Sequence, residues 1–127
     1  MTEPVERILD IYNTHLHLAW DTHAWGKLRR GRTKYLQAIE KQGQGWTEST
    51  DLGIKGGTHH IFLAVLAARH QSEPEIANTI AHEAVHAAIA ITDTHRIASP
   101  MERDAEEPFA YLVGWLTEWM WRSRPTP

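Results

Sequence analysis

SEPEIANTIAHEAVHAAIAIT, residues 72–92, is the stretch of this 127-residue sequence that fixes the reading of the rest. Ser72 with Glu75 three residues later forms a capping box, and Pro74 sits near the first helical positions, so a helix starts here and runs to about Thr92. His82-Glu83-Ala84-Val85-His86 is an HExxH sequence in the middle of that helix. Residues four apart stack on one helix face, so both imidazoles can address one metal ion while Glu83, about 100° round, reaches its open side. This is the arrangement that zinc-assisted hydrolysis needs. Counting about 100° per residue from Ile76, the apolar residues Ile80, Ala84, Ala77, Ala88, Ala81 and Val85 occupy roughly 40° to 180°. His82 and His86 fall near about 240° and 280°. The expectation is a buried helix flooring a site, with the two histidines and Glu83 on a separate polar stripe.

A catalytic zinc takes three protein ligands plus a water, so a third ligand must come from elsewhere in the chain. Beyond a loop over residues 93–102, a last helix runs from about Arg103 to Arg122, with Phe109, Leu112, Val113, Leu116 and Met120 at helical spacing. Glu106 and Glu107 stand at its start. With Phe109 as origin, the apolar set falls between about 300° and 40°, Glu106 near about 60° and Glu107 near about 160°. Glu106 is therefore the expected zinc ligand, with Glu107 as the alternative.

The segments AHEAVHAA and AEEPFAYL resemble the gluzincin group of zinc metallopeptidases, in which HExxH on one helix is completed by a Glu on a following helix. The chain looks like a minimal version of that group, of the kind seen in small phage-like or prophage-like peptidases. The resemblance rests on residues 72–120, less than half of the chain. It implies an α+β, zincin-like fold: a small twisted sheet packed on an active-site helix, with a C-terminal helix carrying the third ligand. It also implies a Zn2+ cofactor, Glu83 as general base and a peptide or protein substrate. The chain departs from the larger gluzincins at Ala110, where an Asp often follows the Glu ligand by four residues. Asp104 or Asp93 would then have to orient a ligating histidine.

Working outward to the N-terminal half, Pro4, Val5, Ile8, Leu9 and Tyr12 predict a short first helix ending near Asn13. Alternation of Thr14, Leu16, Leu18 and Trp20 against His15, His17 and Ala19 predicts a strand over residues 14–20. Residues 25–32, basic with two glycines, read as a strand pair closed by a turn. Tyr35 to Ile39 reads as a short strand or one helical turn, and the Gly-, Ser- and Thr-rich residues 43–57 as a surface loop. Residues 58–66, apolar and bounded by Gly56-Gly57, predict a strand that borders the cleft and whose edge could pair with an extended peptide.

Composition narrows the classes further. There are 13 Lys+Arg against 16 Asp+Glu, a net charge of −3, which gives no global case for nucleic-acid binding. A hydrophobic fraction of 42% suffices for a real core in one domain spanning residues 1–127. The sequence has no cysteine, so disulfides, Cys-ligated zinc and thiol nucleophiles are excluded. The absence of a long apolar run or a signal-peptide pattern predicts a cytoplasmic protein that does not span a membrane. His15, His17, His23, His59, His60, His70 and His95 read as ordinary polar residues, although His95 and Tyr111 are the candidates near the motif for steadying an oxyanion. Trp115, Trp119 and Trp121 read as packing residues. Two other classes stand beside the peptidase: a non-catalytic zinc-binding interaction module, and a protease recruited to nucleoprotein through the five cations of Lys27–Lys34.

Overall fold

The structure, a computed structural model, describes residues 1–50, 58–94 and 103–126. The fold is α+β: strands β1 (Val5–Leu9), β2 (Thr14–Ala19), β3 (Gly45–Thr50) and β4 (His59–Val65), and helices α1 (Thr22–Arg29), α2 (Glu73–Thr94) and α3 (Arg103–Arg122). The strands form one mixed sheet in the order β1-β2-β4-β3, in which β2 and β4 are parallel and the outer strands antiparallel to their neighbours.

Strand alternation divides the core into two. Leu16, Leu18, Ile61, Leu63 and Val65 face α2 and α3, where they meet Ile80, Ala84, Ala88, Ile91, Leu116 and Met120. Ala19, Phe62 and Ala64 face the other way and are covered by Ala24, Trp25 and Leu28 of α1 and by Leu36. The expected strand after Asn13, the strand after Gly57 and both long helices are present.

Four expectations are corrected. The first helix is instead strand β1 followed by a 3-10 turn over Asp10–Tyr12, closed by Asn13 at φ 43°. Val5 and Leu9 are four apart, a spacing that puts residues on one face of a helix and equally on one face of a strand. Ile8, which the helical reading needs inside, is 51% exposed. The basic residues 25–32 are not a strand pair: helix α1 runs through Arg29. Asp21 starts it, its carboxylate accepting from the Ala24 N–H at 2.8 Å. The presumed loop over 43–57 contains β3 as far as Thr50, and residues 51–57 lie outside the described residues. Tyr35–Ile39 is no strand. A turn closes just ahead of it, with Leu36 N–H donating to the Arg32 carbonyl at 2.8 Å.

Candidate functional site

The motif sits on α2, whose buried residues are Ile80, Glu83, Ala84, Ala87, Ala88, Ile91 and Thr92. That set is rotated from the sequence expectation. Val85 is 38% exposed and Glu83 only 5%, so Glu83 belongs to the buried face and not to the histidines' stripe. His82 and His86 are both exposed. Their Nε2 atoms lie 3.2 Å apart, close to the separation of about 3.3 Å that two ligands at Zn–N distances of about 2.0–2.1 Å make at a tetrahedral centre. The rings stand at 69° with centres 4.8 Å apart. Two exposed imidazoles whose nitrogens converge this way fit a metal ion as a pair of adjacent ligands.

Glu83 is held by the outer strand β3. Thr47 Oγ1 donates to Glu83 Oε2 at 2.6 Å, so one carboxylate oxygen is satisfied and fixed. The other oxygen faces Gly45: a Cβ built there would come within 3.1 Å of Oε1, 3.0 Å of Cγ and 2.7 Å of the Thr79 methyl. Gly45 is the residue that lets β3 approach α2 this closely. Two small cavities flank the carboxylate. One, of about 200 Å³, is lined by Gly45, Trp46, Thr47, Glu83 and His86; the other, of about 270 Å³, is lined by Gln44, Gly45, Asn78, Thr79, His82 and Glu83.

The strand that borders this site is β3, and this corrects the expectation for residues 58–66. β4 is paired on both sides, with β2 and with β3, and offers no edge to a peptide. β3 ends the sheet among the described residues.

No family of known proteins, no curated protein and no solved structure matches this chain. The site is therefore read from its own chemistry.

Glu106 and Glu107 are both exposed in the first turns of α3. Glu107 lines a groove of about 910 Å³ with Leu9, Tyr12, Pro108, Tyr111 and Trp115. Among the described residues no third His, Asp or Glu joins the histidine pair in a group able to hold a metal ion. Tyr111, 75% exposed, lines that same groove and neither cavity beside Glu83. Asp93 is exposed, while His95 and the Asp104 side chain lie outside the described residues.

The basic run is largely engaged within the chain. Lys27 is paired with Glu3 at 2.5 Å, Arg29 Nε donates to the Leu36 carbonyl at 3.0 Å, and Arg32 donates to the Leu28 carbonyl at 2.9 Å. Of the five cations, Arg30 and Lys34 are exposed side chains. No described helix is long and apolar enough to cross a membrane.

Sequence reasoning missed Thr47 and Gly45. The signal was present in Trp46-Thr47-Glu48-Ser49-Thr50, where Trp and Thr favour a strand, but the flanking glycines outweighed it.

Proposed function

We propose that this protein is a zinc-dependent metallopeptidase in which His82 and His86 hold the metal and Glu83 is the general base. The observation that carries the proposal is the pairing of converging Nε2 atoms, 3.2 Å apart, with a neighbouring carboxylate fixed by Thr47. The third ligand we assign to a carboxylate from the start of α3, Glu106 ahead of Glu107, which has to swing toward the histidine pair because neither is grouped with it among the described residues. When bound, zinc would supply a water of lowered pKa and polarise the scissile carbonyl. The protein's own part is orientation and proton transfer. Thr47 keeps Glu83 Oε2 engaged, which leaves Oε1, on the Gly45 side, to take the proton of a water in the adjoining cavity and pass it to the leaving amine. The outer edge of β3 offers backbone donors and acceptors to an extended peptide laid beside it.

A second reading, a zinc-holding interaction module without catalysis, is favoured by the exposure of both histidines, which leaves a metal they hold open to ligands from a partner. One experiment separates the two. Protein purified without a His-tag is analysed for metal and assayed on fluorescent casein, alongside Glu83→Gln and His82→Ala. The peptidase reading expects one zinc per chain and hydrolysis in the wild type, zinc without hydrolysis in Glu83→Gln, and neither in His82→Ala. Zinc retained with no hydrolysis in the wild type supports the module, and no zinc in the wild type sinks both. Zinc affinity in Glu106→Ala against Glu107→Ala then identifies the third ligand.

A further inference from the structure

On the sheet face away from α2, three imidazoles stand together. His15 and His17 are two apart on β2, and His60 on β4 is in register with His15, so all three project from the same face. His17 is 7% exposed. Its ring stacks on Phe62 with centres 4.6 Å apart, and its Nε2 meets Nδ1 of His60 at 3.0 Å. The His17 and His60 ring centres are 5.3 Å apart with planes within 16°, the geometry of two imidazoles meeting end to end. The contrast with His82 and His86 is informative, because there the centres are nearer, at 4.8 Å, although the nitrogens are farther apart, at 3.2 Å. Those rings converge on a common point; these two share a proton, one nitrogen donating and the other accepting.

The surroundings disfavour added positive charge. The Arg32 guanidinium lies 5.4 Å from the centre of the Phe62 ring, and His15 has its centre 5.0 Å from that of His60. From β1, Glu6 approaches His15 at 3.7 Å; from β3, Glu48 is the cross-strand partner of Phe62. Helix α1 contributes Trp25 and Leu28 to the apolar cluster around Phe62. Burial, then the positive forms of His60, Arg32 and His15, pushes His17 down to about 4. Burial also lowers His60, helped by His15 and Arg32 and opposed by Glu6.

Arg32 belongs to residues 30–43, which cover this face between α1 and β3. Leu36 of that cover is fully buried in the cluster with Phe62. The cover is tied down by Trp25 Nε1 donating to the Gln37 carbonyl at 2.9 Å, and by Arg69 donating to the Glu40 and Gly43 carbonyls at 2.7 Å each.

We propose that the His17 and His60 pair is an acid-sensitive latch: while either ring stays neutral and accepts the other's N–H, residues 30–43 stay closed over the outer face, and protonation of both rings releases them. Two imidazolium rings have no acceptor to offer each other, and both would lie beside Arg32. Because His17 in the closed form titrates below the ordinary value of 6.5, the open form binds more protons in the intervening range. The preference for closure is thus complete above about pH 6.5 and is lost as pH falls toward about 4.

The test is hydrogen exchange by mass spectrometry on the full chain without added metal, at neutral pH and at about pH 5. After correction for intrinsic rates, amides of residues 30–43 are expected to exchange about tenfold faster or more in acid, while those of residues 80–91 in α2 keep their protection. His17→Phe and, separately, His60→Gln lose this acceleration, since neither variant can form two facing imidazolium rings. Arg32→Gln, which leaves the pair intact, moves the transition to lower pH. The latch is overturned by equal acceleration in the wild type and both pair variants, by no acceleration in the wild type, by an unmoved transition in Arg32→Gln, or by α2 losing protection in step with the cover.

Discussion

Glu83 is a carboxylate with 5% of its surface exposed, and a single hydroxyl, Thr47 Oγ1 at 2.6 Å, fixes one of its oxygens. Removing that hydroxyl while keeping the shape leaves a buried acceptor short of a partner. Thr47→Val is therefore expected to destabilise the fold by about 1–3 kcal/mol, and Thr47→Ser to recover most of it. Urea denaturation of the three proteins checks this; a Val variant as stable as the wild type would mean that Glu83 finds another donor. Gly45→Ala acts on the same carboxylate by volume. Its new methyl would sit 2.7 Å from the Thr79 side chain, which is itself held by His70 Nε2 at 2.7 Å. The neighbour cannot swing away without breaking that bond, so a loss of about 1–3 kcal/mol is expected in the same assay.

At the scale of elements, legibility followed length. Helix α2 has 22 residues and a marked start, with Glu75 N–H donating to Ser72 Oγ at 3.3 Å and the Glu75 carboxylate accepting from Gln71 N–H at 2.7 Å, and repeated apolar spacing over many turns leaves only one period possible. Helix α3 is similarly long. β1 has five residues and α1 eight, and over such spans two or three apolar residues fit either period. What decides them is one residue each: exposed Ile8 for β1, and the capping Asp21 for α1. The histidines of the motif were legible because their spacing on a helix is local. Thr47 and Gly45 reach Glu83 only through the sheet order and were not. Asp21 makes a sharp prediction, since it also accepts from the Thr2 N–H at 2.7 Å and so ties the N-terminal segment to α1. Asp21→Ala is expected to lose about 1–2 kcal/mol and Asp21→Asn much less. Guanidinium unfolding of both variants tests it, and equal losses would show that charge, not capping, matters.

At the scale of the whole molecule, the sheet separates two histidine pairs. His82 and His86 lie on α2, against one face, and His17 and His60 project from the other. Under the two proposals their coupling to stability runs through different variables, metal concentration for one and proton concentration for the other. If the pairs are independent, the effects of altering them add. Under the zinc reading, zinc at about a hundred times its dissociation constant would stabilise the native state by about 2.7 kcal/mol, a rise in Tm of about 10 °C for a chain of this length. This rise is expected in the wild type and in His17→Phe, and is absent in His86→Ala. The acid side has the opposite pattern. Without zinc, the wild-type Tm falls between pH 6.5 and about 4, because His17 is held neutral in the native state and protonates once unfolded. His17→Phe flattens that fall, whereas His86→Ala leaves it in place. Four proteins, wild type, each single variant and the double variant, melted with and without zinc across this pH range, measure both terms. A zinc increment at neutral pH that shrinks in His17→Phe would show that the two faces of the sheet are energetically connected, and additivity within about 0.5 kcal/mol that they are not.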